Sequence, residues 1–403
     1  MKITKLSLAA LAAMTLTTGA VAEVTNELSG NVKYWYETAD TDNGGTNGLF
    51  HKSASGFTAG QAAVSVEAKG KAGVLGYGFK YTAVDTLGLE GNLVSTGRTS
   101  ADGTVGTTAH WAEKAFITYK MGSTTAKVGR QHLNTPFVFT EAWNVAANSF
   151  DAAVLNTKLA NVDLMGAYVG RGNGGNGSGP GFSSVQNNGQ FGDLATDGAY
   201  ILGLKAKPMK ALSLNGYYYD FVSNTAIQNA YWLDANYAVN GIKLGALYAS
   251  AEPEVGDSTN AFAIKAGTKA GPVSLFAAYS DVSDEGSHGI SNVATGQKKT
   301  KLPTAGVYND GVIVAQPGAK SFKVKAAMPV GSFKLVAQYV SASNDITQAK
   351  DVDEFDLIAA TKVADVNVKA IFVNRSFRNS VGAGGTVGNT DSNHVRIIAG
   401  INF

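Results

Sequence analysis

Hydrophobic and polar residues alternate in short segments along nearly the whole chain of 403 residues. In the segment Leu28–Glu37, leucine, valine and tyrosine share one face of an extended strand, and serine, asparagine, lysine and glutamate dominate the other. A period of two residues is typical of a β-strand with one apolar and one polar face. The same split recurs over residues 62–69, 262–266, 322–326, 333–339, 354–359 and 366–372. The pattern therefore predicts an all-β protein.

The segments that join these strands fall into two alternating length classes. Eight short turns are expected at Gly70–Gly73, Lys120–Thr124, Leu159–Asn161, Lys207–Lys210, Val239–Gly241, Lys269–Gly271, Pro329–Gly331 and Val363–Asp365, with nine longer links between them. This arrangement predicts a transmembrane antiparallel β-barrel of about eighteen strands, with short periplasmic turns and longer external loops. Sixteen strands result if the weak hairpin around Phe150–Lys158 does not form.

The first 22 residues have the order of a cleaved secretory signal. Lys2 and Lys5 precede the apolar stretch Leu6–Leu16, and small residues lead to an A-x-A site at Ala20–Ala22. The apolar stretch is too short to cross about 30 Å of hydrocarbon as a helix. We therefore predict export, with a signal peptide at 1–22 and a single barrel domain at 23–403.

Composition excludes several classes of function. Loss of the two signal lysines brings the net charge of +2 close to zero, so no basic excess suggests nucleic-acid binding. Cysteine is absent, which excludes disulfides, thiolate metal sites and thiol catalysis. No two histidines are at ligand spacing, so we expect neither a metal nor a cofactor. The five histidines are His51, His110, His132, His288 and His394.

A barrel of eighteen strands is too wide for its own side chains to fill. Its lumen is therefore expected to hold water unless loops or a plug domain close it. The first predicted strand begins only a few residues after the predicted cleavage site, which argues against a plug domain. The expected function is passive diffusion of small hydrophilic solutes and ions, without catalysis.

One run of residues resembles a known family. It reads Gly-Arg-Gln-His-Leu-Asn-Thr-Pro-Phe at Gly129–Phe137 and continues through Glu-Ala-Trp-Asn to Asn-Ser-Phe-Asp at Asn148–Asp151. With the signal and the C-terminal Phe403, it resembles the Opr-type porins of campylobacterial bacteria, relatives of the OprD-like channels and of the campylobacterial major outer membrane protein. The resemblance implies an eighteen-stranded porin, often a homotrimer, surrounded by outer-membrane lipid and lipopolysaccharide. Phe403 would then be the residue that the barrel-assembly machinery recognises.

The resemblance also implies that the third external loop, here Gln131–Phe150, folds into the lumen as a constriction. Its composition agrees, because Pro136, Phe137 and Phe139 give it more apolar bulk than a solvated loop needs. The alternative is an external hairpin whose aromatic side chains pack on neighbouring loops. The residues predicted to line the narrowest point are Arg130, His132, Asn134, Thr135, Glu141, Trp143, Asn144 and Asp151.

The inward-facing positions of the first strand and the last five predict a basic wall. Its members are Lys33, Lys323, Lys325, Lys334, Lys369 and Arg396. Facing Glu141 and Asp151, this wall would set a transverse field that orients dipolar solutes and filters ions. Carboxylates share the same face, so the alternative is a set of lysines paired inside a solvated lumen. These carboxylates are Glu37, Glu354 and Asp356.

Two other classes of barrel stay open at this point. A barrel lipase or protease needs a histidine with a nucleophile or carboxylate partner, for which His132 near Glu141 and His394 are candidates. A surface adhesin or structural envelope protein would also suit the long loops. Within the longest loop, Lys298–Lys301 is either a lipopolysaccharide contact or a solvated cluster, and Val312–Ala315 is expected to form a short hairpin above the membrane.

Overall fold

The computed structural model describes residues 24–41, 48–51, 57–95, 97, 108–174, 189–224, 226–295, 299–347, 351–381 and 387–403. The predicted signal peptide lies outside these residues. The strands are β1 (Val24–Thr41), β2 (Phe57–Ala72), β3 (Leu75–Asp85), β4 (Thr108–Met121), β5 (Thr124–Gln131), β6 (Phe150–Leu159), β7 (Val162–Gly172), β8 (Gly192–Asp193), β9 (Ala199–Met209), β10 (Leu212–Phe221), β11 (Asn229–Val239), β12 (Ile242–Glu252), β13 (Thr259–Ala270), β14 (Val273–Val282), β15 (Ala319–Val330), β16 (Phe333–Asn344), β17 (Val352–Val363), β18 (Val366–Val381) and β19 (Val387–Asn402).

All of these strands except β8 close into one antiparallel barrel of eighteen strands. Each strand pairs with the next, β7 pairs directly with β9, and the barrel closes where β19 pairs with β1. The two-residue β8 lies outside the ring and pairs with the end of β7. Because β6 pairs with both β5 and β7, the predicted count of eighteen is confirmed and the alternative of sixteen is wrong.

Eight two-residue turns join the strands at one end of the barrel, and each overlaps a turn predicted from the sequence. Two-residue hairpin turns favour residues with positive φ, because the backbone twist of such turns matches the twist of the flanking strands. Asn240 and Gly241, for example, have φ of 48° and 80°. The longer loops lie at the opposite end, which is the arrangement of outer-membrane barrels.

The outer face of the barrel is apolar. Leu28, Ile117 and Leu202 are 67%, 63% and 62% exposed, and apolar side chains recur at alternate positions around the ring. An exposed apolar surface of this extent is a liability in water but matches the hydrocarbon of a bilayer. The fold is therefore that of a transmembrane outer-membrane barrel. Among the described residues, no helix is long and apolar enough to span a membrane.

A bulge in β4 departs from the simple alternation. Lys80 lies opposite Lys114 and Tyr81 opposite Ala112, so Glu113 is an extra residue in β4. As a result, two consecutive side chains make inward ion pairs: Glu113 with Lys80 at 2.8 Å and Lys114 with Glu67 at 3.0 Å. A strict period of two would place one of them against lipid.

The barrel seam depends on a close contact between Gly30 and the C-terminal residue. The Gly30 amide donates to the Phe403 carbonyl at 2.7 Å, and the Phe403 amide donates back at 3.0 Å. A Cβ atom on Gly30 would lie 2.5 Å from Cζ of Phe403 and 2.7 Å from the carbonyl oxygen of Ser65. Only glycine leaves room for the ring at this point of the seam.

We expect Gly30→Ala to destabilise the barrel by about 1–3 kcal/mol, the usual cost of inserting an atom into a filled space. Urea unfolding, followed by the heat-dependent electrophoretic mobility of the folded barrel, measures the change. Gly166→Ala is the matched control, because no atom lies within 4 Å of the added Cβ there. Equal stability of the two variants would contradict the assigned contact.

Candidate functional site

Two loops fold into the barrel interior: the third loop (132–149) and the seventh loop, in its described residues 283–295 and 299–318. In the third loop, Phe137 is fully buried and packs edge-on against Tyr219 at 5.4 Å and Trp232 at 6.1 Å between ring centroids. Tyr219 and Trp232 lie on the inner faces of β10 and β11, since the alternate residues Tyr218 and Tyr231 face outward. The predicted insertion of the third loop into the lumen is confirmed.

The seventh loop is held against the barrel wall by Glu354 of β17. Glu354 accepts hydrogen bonds from three consecutive backbone amides, those of Val307 at 2.6 Å, Tyr308 at 3.0 Å and Asn309 at 2.6 Å. Its carboxylate also lies 3.7 Å from Nε of Arg375 on β18. A buried carboxylate that collects backbone donors in this way fixes the position of the loop strongly.

The segment Val312–Ala315 does not form the predicted hairpin above the membrane. Ile313 and Val314 are buried in a cluster with Val340 and Val352 on the inner wall. The apolar segment removes its side chains from water by packing inside the barrel mouth, which a hairpin above the membrane could not do.

Glu141 joins the third loop to the seventh. It accepts hydrogen bonds from Nε1 of Trp143 at 2.9 Å, Nδ2 of Asn292 at 2.9 Å and Oγ1 of Thr295 at 2.5 Å. Asn292 also binds the Phe139 backbone on both sides, at its amide and its carbonyl. Glu141 is only 2% exposed, and burial raises the pKa of its carboxyl group. The structure therefore gives Glu141 the role of a junction between loops.

Arg396 of β19 lies at the centre of an aromatic cluster that also involves both loops. Its Nε atom donates to Glu37 at 3.0 Å, and the hydroxyl of Tyr308 donates to the same carboxylate. The Arg396 guanidinium lies 5.1 Å from the ring centroids of both Trp35 and Trp143. The seam strands are thereby connected to Tyr308 of the seventh loop and Trp143 of the third.

The ends of the third loop carry an ion triad. Asp151 receives hydrogen bonds from Nε of Arg130 at 2.8 Å and from Nη2 of Arg171 at 2.7 Å. The Arg130 guanidinium also stacks on the Phe191 ring at 3.5 Å. The predicted constriction residues Arg130 and Asp151 are thus paired with each other rather than presented as free charges.

The remaining predicted constriction residues make separate contacts. His132 lies 3.0 Å from Glu113. Asn134 accepts a hydrogen bond from Nζ of Lys301 at 3.1 Å, and the Thr135 hydroxyl donates within the loop to the Val138 carbonyl at 2.6 Å. The Asn144 carbonyl accepts from Nζ of Lys33 at 2.7 Å. The structure brings Asn134 and Thr135 to an open space and uses Asn144 to fix the loop.

The cations of the predicted basic wall likewise make separate contacts. Lys33 and Lys323 each donate to a loop carbonyl, those of Asn144 and Ala305. Arg396 is paired with Glu37, and the Lys325 ammonium lies 4.9 Å from the Phe276 ring centroid. Lys334 lies two residues after a turn, and Lys369 lies near the turn end of β18. Several of these cations therefore anchor loops, and Glu141 does not face them as a free charge.

An open cavity of about 300 Å³ lies between the two loops and the wall formed by β9–β13. Its charged lining consists of Lys205, Asp234, Lys265 and Lys301. The alternation of the sequence does not single out these residues as a site, because it does not show which loops pack beside the inner faces of β9, β11 and β13. Among the residues that the structure describes, Asp234 accepts hydrogen bonds from neutral donors, those of Asn215 at 2.9 Å, Trp232 at 3.0 Å and Asn236 at 2.7 Å.

The surroundings of His394 and His132 give little support to a catalytic site. Ser392 Oγ lies 3.3 Å from Nε2 of His394, but Ser392 is 3% exposed and Glu37, 3.9 Å from His394, is already bound by Arg396. His132 contacts Glu113 and not Glu141. Within the described ranges, no group of three or more His, Cys, Asp or Glu side chains could hold a metal ion.

Comparison with known proteins finds likeness in structure only. No protein-family model and no curated protein matches the sequence. Among solved structures, OccAB1 of Acinetobacter baumannii has a TM-score of 0.70 at 15% identity, covering 96% of this chain and 98% of its own. OccD3 (OpdP) of Pseudomonas aeruginosa has 0.64 at 17%, covering 96% and 92%. OccK8 (OprE) of the same organism has 0.67 at 14%, covering 94% and 98%. The campylobacterial affiliation stays a prediction, and the finding is that this chain shares the barrel fold of these Occ and Opd proteins over nearly its whole length.

Proposed function

We propose that the protein is a porin of a Gram-negative outer membrane, a passive channel for small hydrophilic solutes and ions. The observation that carries the proposal is a closed eighteen-stranded barrel, apolar outside and charged inside, whose lumen is narrowed by two inserted loops. A barrel of this width encloses an aqueous path. The proposal assigns no chemical step and no cofactor to the protein.

The proposed route runs between the inserted loops and the β9–β13 wall. Its lining combines three lysines, Lys205, Lys265 and Lys301, with the single carboxylate of Asp234. Rings of lysine side chains favour anions in narrow pores. The predicted constriction residues Asn134 and Thr135 border the same space and would supply hydrogen bonds to passing solutes.

We expect planar bilayers with the refolded protein to show discrete conductance steps and a reversal potential of anion-selective sign under a salt gradient. Lys205→Gln and Lys265→Gln should each reduce the anion-to-cation permeability ratio by about twofold, because a unit charge at about 8 Å in water contributes about 0.5 kcal/mol. Lys320→Gln is the control, since this exposed lysine lies at the loop end and pairs with Asp345 at 2.6 Å.

Each outcome bears on a separate part of the proposal. A folded barrel that gives no conductance would reject the channel itself. Steps with cation-selective sign would keep the channel and reject the lysine-lined route. Equal effects of Lys205→Gln and Lys320→Gln would point to a general surface-charge effect instead.

The remaining expectations about assembly also belong to this proposal. They are a homotrimer, contact with lipid and lipopolysaccharide, recognition of Phe403 by the barrel-assembly machinery, and a campylobacterial origin. Conductance steps grouped in threes would support the trimer. Lys299 is bound to Asp310 at 2.8 Å and to the Val307 carbonyl at 2.8 Å, which argues against its contact with lipopolysaccharide.

A further inference from the structure

Each of the eight short hairpins carries a lysine two or three residues from its turn. These residues, here called the lysine collar, are Lys71, Lys120, Lys158, Lys207, Lys243, Lys269, Lys334 and Lys362. They come from eight different hairpins, which together supply every wall strand except β19 and β1. Their common distance from the turns places them at one height, at the turn end.

The strand alternation directs these lysines toward the lumen. Lys120 lies between Tyr119 and Met121, which face lipid with 48% and 63% of their surface exposed. Lys243 lies opposite Gly267, which is two residues from Lys265 and therefore on the same inward face of β13. Lys362 follows the inward-facing Asp356 in steps of two along β17. The collar therefore lines the opening of the pore and does not face the lipid headgroups.

The collar has few acidic partners. Within the described part of the chain, only Lys362 of the eight lies within 4 Å of a carboxylate, that of Asp365 at 3.4 Å. Both of these side chains are largely exposed, with 58% and 83% of their surface accessible, so the pair neutralises little. Asp163 lies opposite Lys158 in the strand register, but the two side chains do not come within 4 Å as an ion pair.

Charges near the loop end of the lumen are arranged differently. Several cations there are matched by buried carboxylates, as in Lys80 with Glu113 at 2.8 Å and Arg396 with Glu37 at 3.0 Å. The charge of the pore therefore differs along its axis, with ion pairs of this kind toward the loops and a ring of lysines at the turns.

The spacing of the collar suits anions that carry several charges. Neighbouring lysines of the collar are one to four strands apart around the ring, which corresponds to roughly 5 to 19 Å at about 4.8 Å per strand. The Debye length at physiological ionic strength is about 8 Å, so the potentials of lysines one or two strands apart overlap. A monovalent ion interacts mainly with the nearest lysine, whereas a multivalent anion at the opening is attracted by several at once.

We propose that the lysine collar is a binding site for small multivalent anions bearing phosphate or carboxylate groups, entered from the turn end of the barrel. Such anions occupy the opening and block current more strongly from that side than from the loop side. This inference rests on the proposed function for its electrical consequence, but the binding site itself does not require current to flow.

The test applies tripolyphosphate or citrate to either side of single channels in planar bilayers. Because the chain has no cysteine, Val255→Cys in the sixth loop (253–258), 86% exposed, provides a unique thiol. Modification by a bulky maleimide added to one chamber then identifies the loop side. The collar variant is the triple substitution Lys243→Gln, Lys269→Gln and Lys334→Gln.

We expect block from the turn side at lower anion concentration than from the loop side, and loss of block at 1 M salt, where the Debye length is about 3 Å. The triple glutamine variant should need about tenfold more tripolyphosphate for half-block. The corresponding triple arginine variant should keep the block, since it keeps the charge, and Lys320→Gln should leave it unchanged. Stronger block by tripolyphosphate than by citrate would favour phosphate-bearing ligands, and the reverse order would favour carboxylates.

Equal block from both sides, or a triple glutamine variant that blocks like the parent, would overturn the collar while leaving the porin proposal intact. Calorimetry of tripolyphosphate binding to the detergent-solubilised folded barrel provides the second measurement. Binding that the triple glutamine variant weakens supports the collar even for a barrel that does not conduct. Absence of binding in the unsubstituted protein overturns it.

Discussion

Replacing Glu354 by alanine is expected to release the seventh loop from the barrel wall. The substitution leaves the amides of Val307, Tyr308 and Asn309 without their acceptor and Arg375 without its carboxylate. Breaking a buried charge pair of this kind costs about 3–5 kcal/mol. The population of detached loop should therefore rise by more than about a hundredfold. Hydrogen exchange of these three amides measures the release directly, and single-channel recordings should show a larger and noisier current.

Asp353→Ala is the matched control on the same strand. Asp353 also pairs with an arginine, Arg378 at 3.4 Å, but it is the adjacent residue and so lies on the opposite face of β17. Its loss should leave the three loop amides protected. If both variants exchange these amides at the parent rate, then Glu354 does not hold the loop, and the contact has no energetic role.

Replacing Glu141 by alanine is expected to separate the third loop from the seventh. Three donors, from Trp143, Asn292 and Thr295, would lose their acceptor inside the barrel. An unsatisfied buried polar group costs about 1–3 kcal/mol, so the junction should weaken by about 3 kcal/mol or more. The Phe139 amide donates a hydrogen bond to Oδ1 of Asn292, so faster hydrogen exchange at this amide reports the separation of the loops. Glu285→Ala, an exposed carboxylate of the same seventh loop, should leave this exchange unchanged.

The junction should also depend on pH. Burial raises the pKa of Glu141, so the folded junction binds a proton more tightly than the separated loops do. Its stability is then fully present below the ordinary carboxyl pKa and declines as the pH rises through the raised value. The charges of Lys299 and Lys301 and the three donors oppose this shift without cancelling it. In the parent protein, hydrogen exchange at the Phe139 amide should therefore become faster as the pH rises through this range, beyond the intrinsic pH dependence of exchange. Glu141→Gln removes the titrating carboxyl group, so this additional increase should be absent from the variant. The same increase in both proteins would assign it to another group.

The strands were predictable because each one satisfies a local rule. A residue such as Ile264 faces lipid and its neighbour Lys265 faces water, whatever the rest of the chain does. The turns follow from the same pattern with glycine or asparagine at positions of positive φ, as at Asn240. The third loop could be placed because its aromatic side chains need a surface to pack on, and Phe137 finds one.

The seventh loop and the role of Glu141 could not be read in this way. Glu141 looks like a pore charge in the sequence, and its burial depends on Asn292 and Thr295, about 150 residues away. Glu354 faces inward as its parity indicates, but its partners are backbone amides, which carry no sequence signal. Contacts of this kind between distant segments decide which inward charges remain available to solutes.

The lysine collar differs, because its positions follow from parity and turn placement alone. Lys71, Lys120, Lys158, Lys269 and Lys362 each stand two residues before a turn. The regularity is a property of all eight hairpins together and is not visible in the first strand and the last five alone.

Since each lysine of the collar belongs to its own hairpin, the hairpin is a module that brings one pair of wall strands and one positive charge. A designer who adds a hairpin enlarges the ring, because barrel diameter grows roughly in proportion to strand number. The charge per unit of circumference then stays constant while the cross-section grows. Pore width and charge density at this opening become separate design variables, the first set by the number of hairpins and the second by one residue in each.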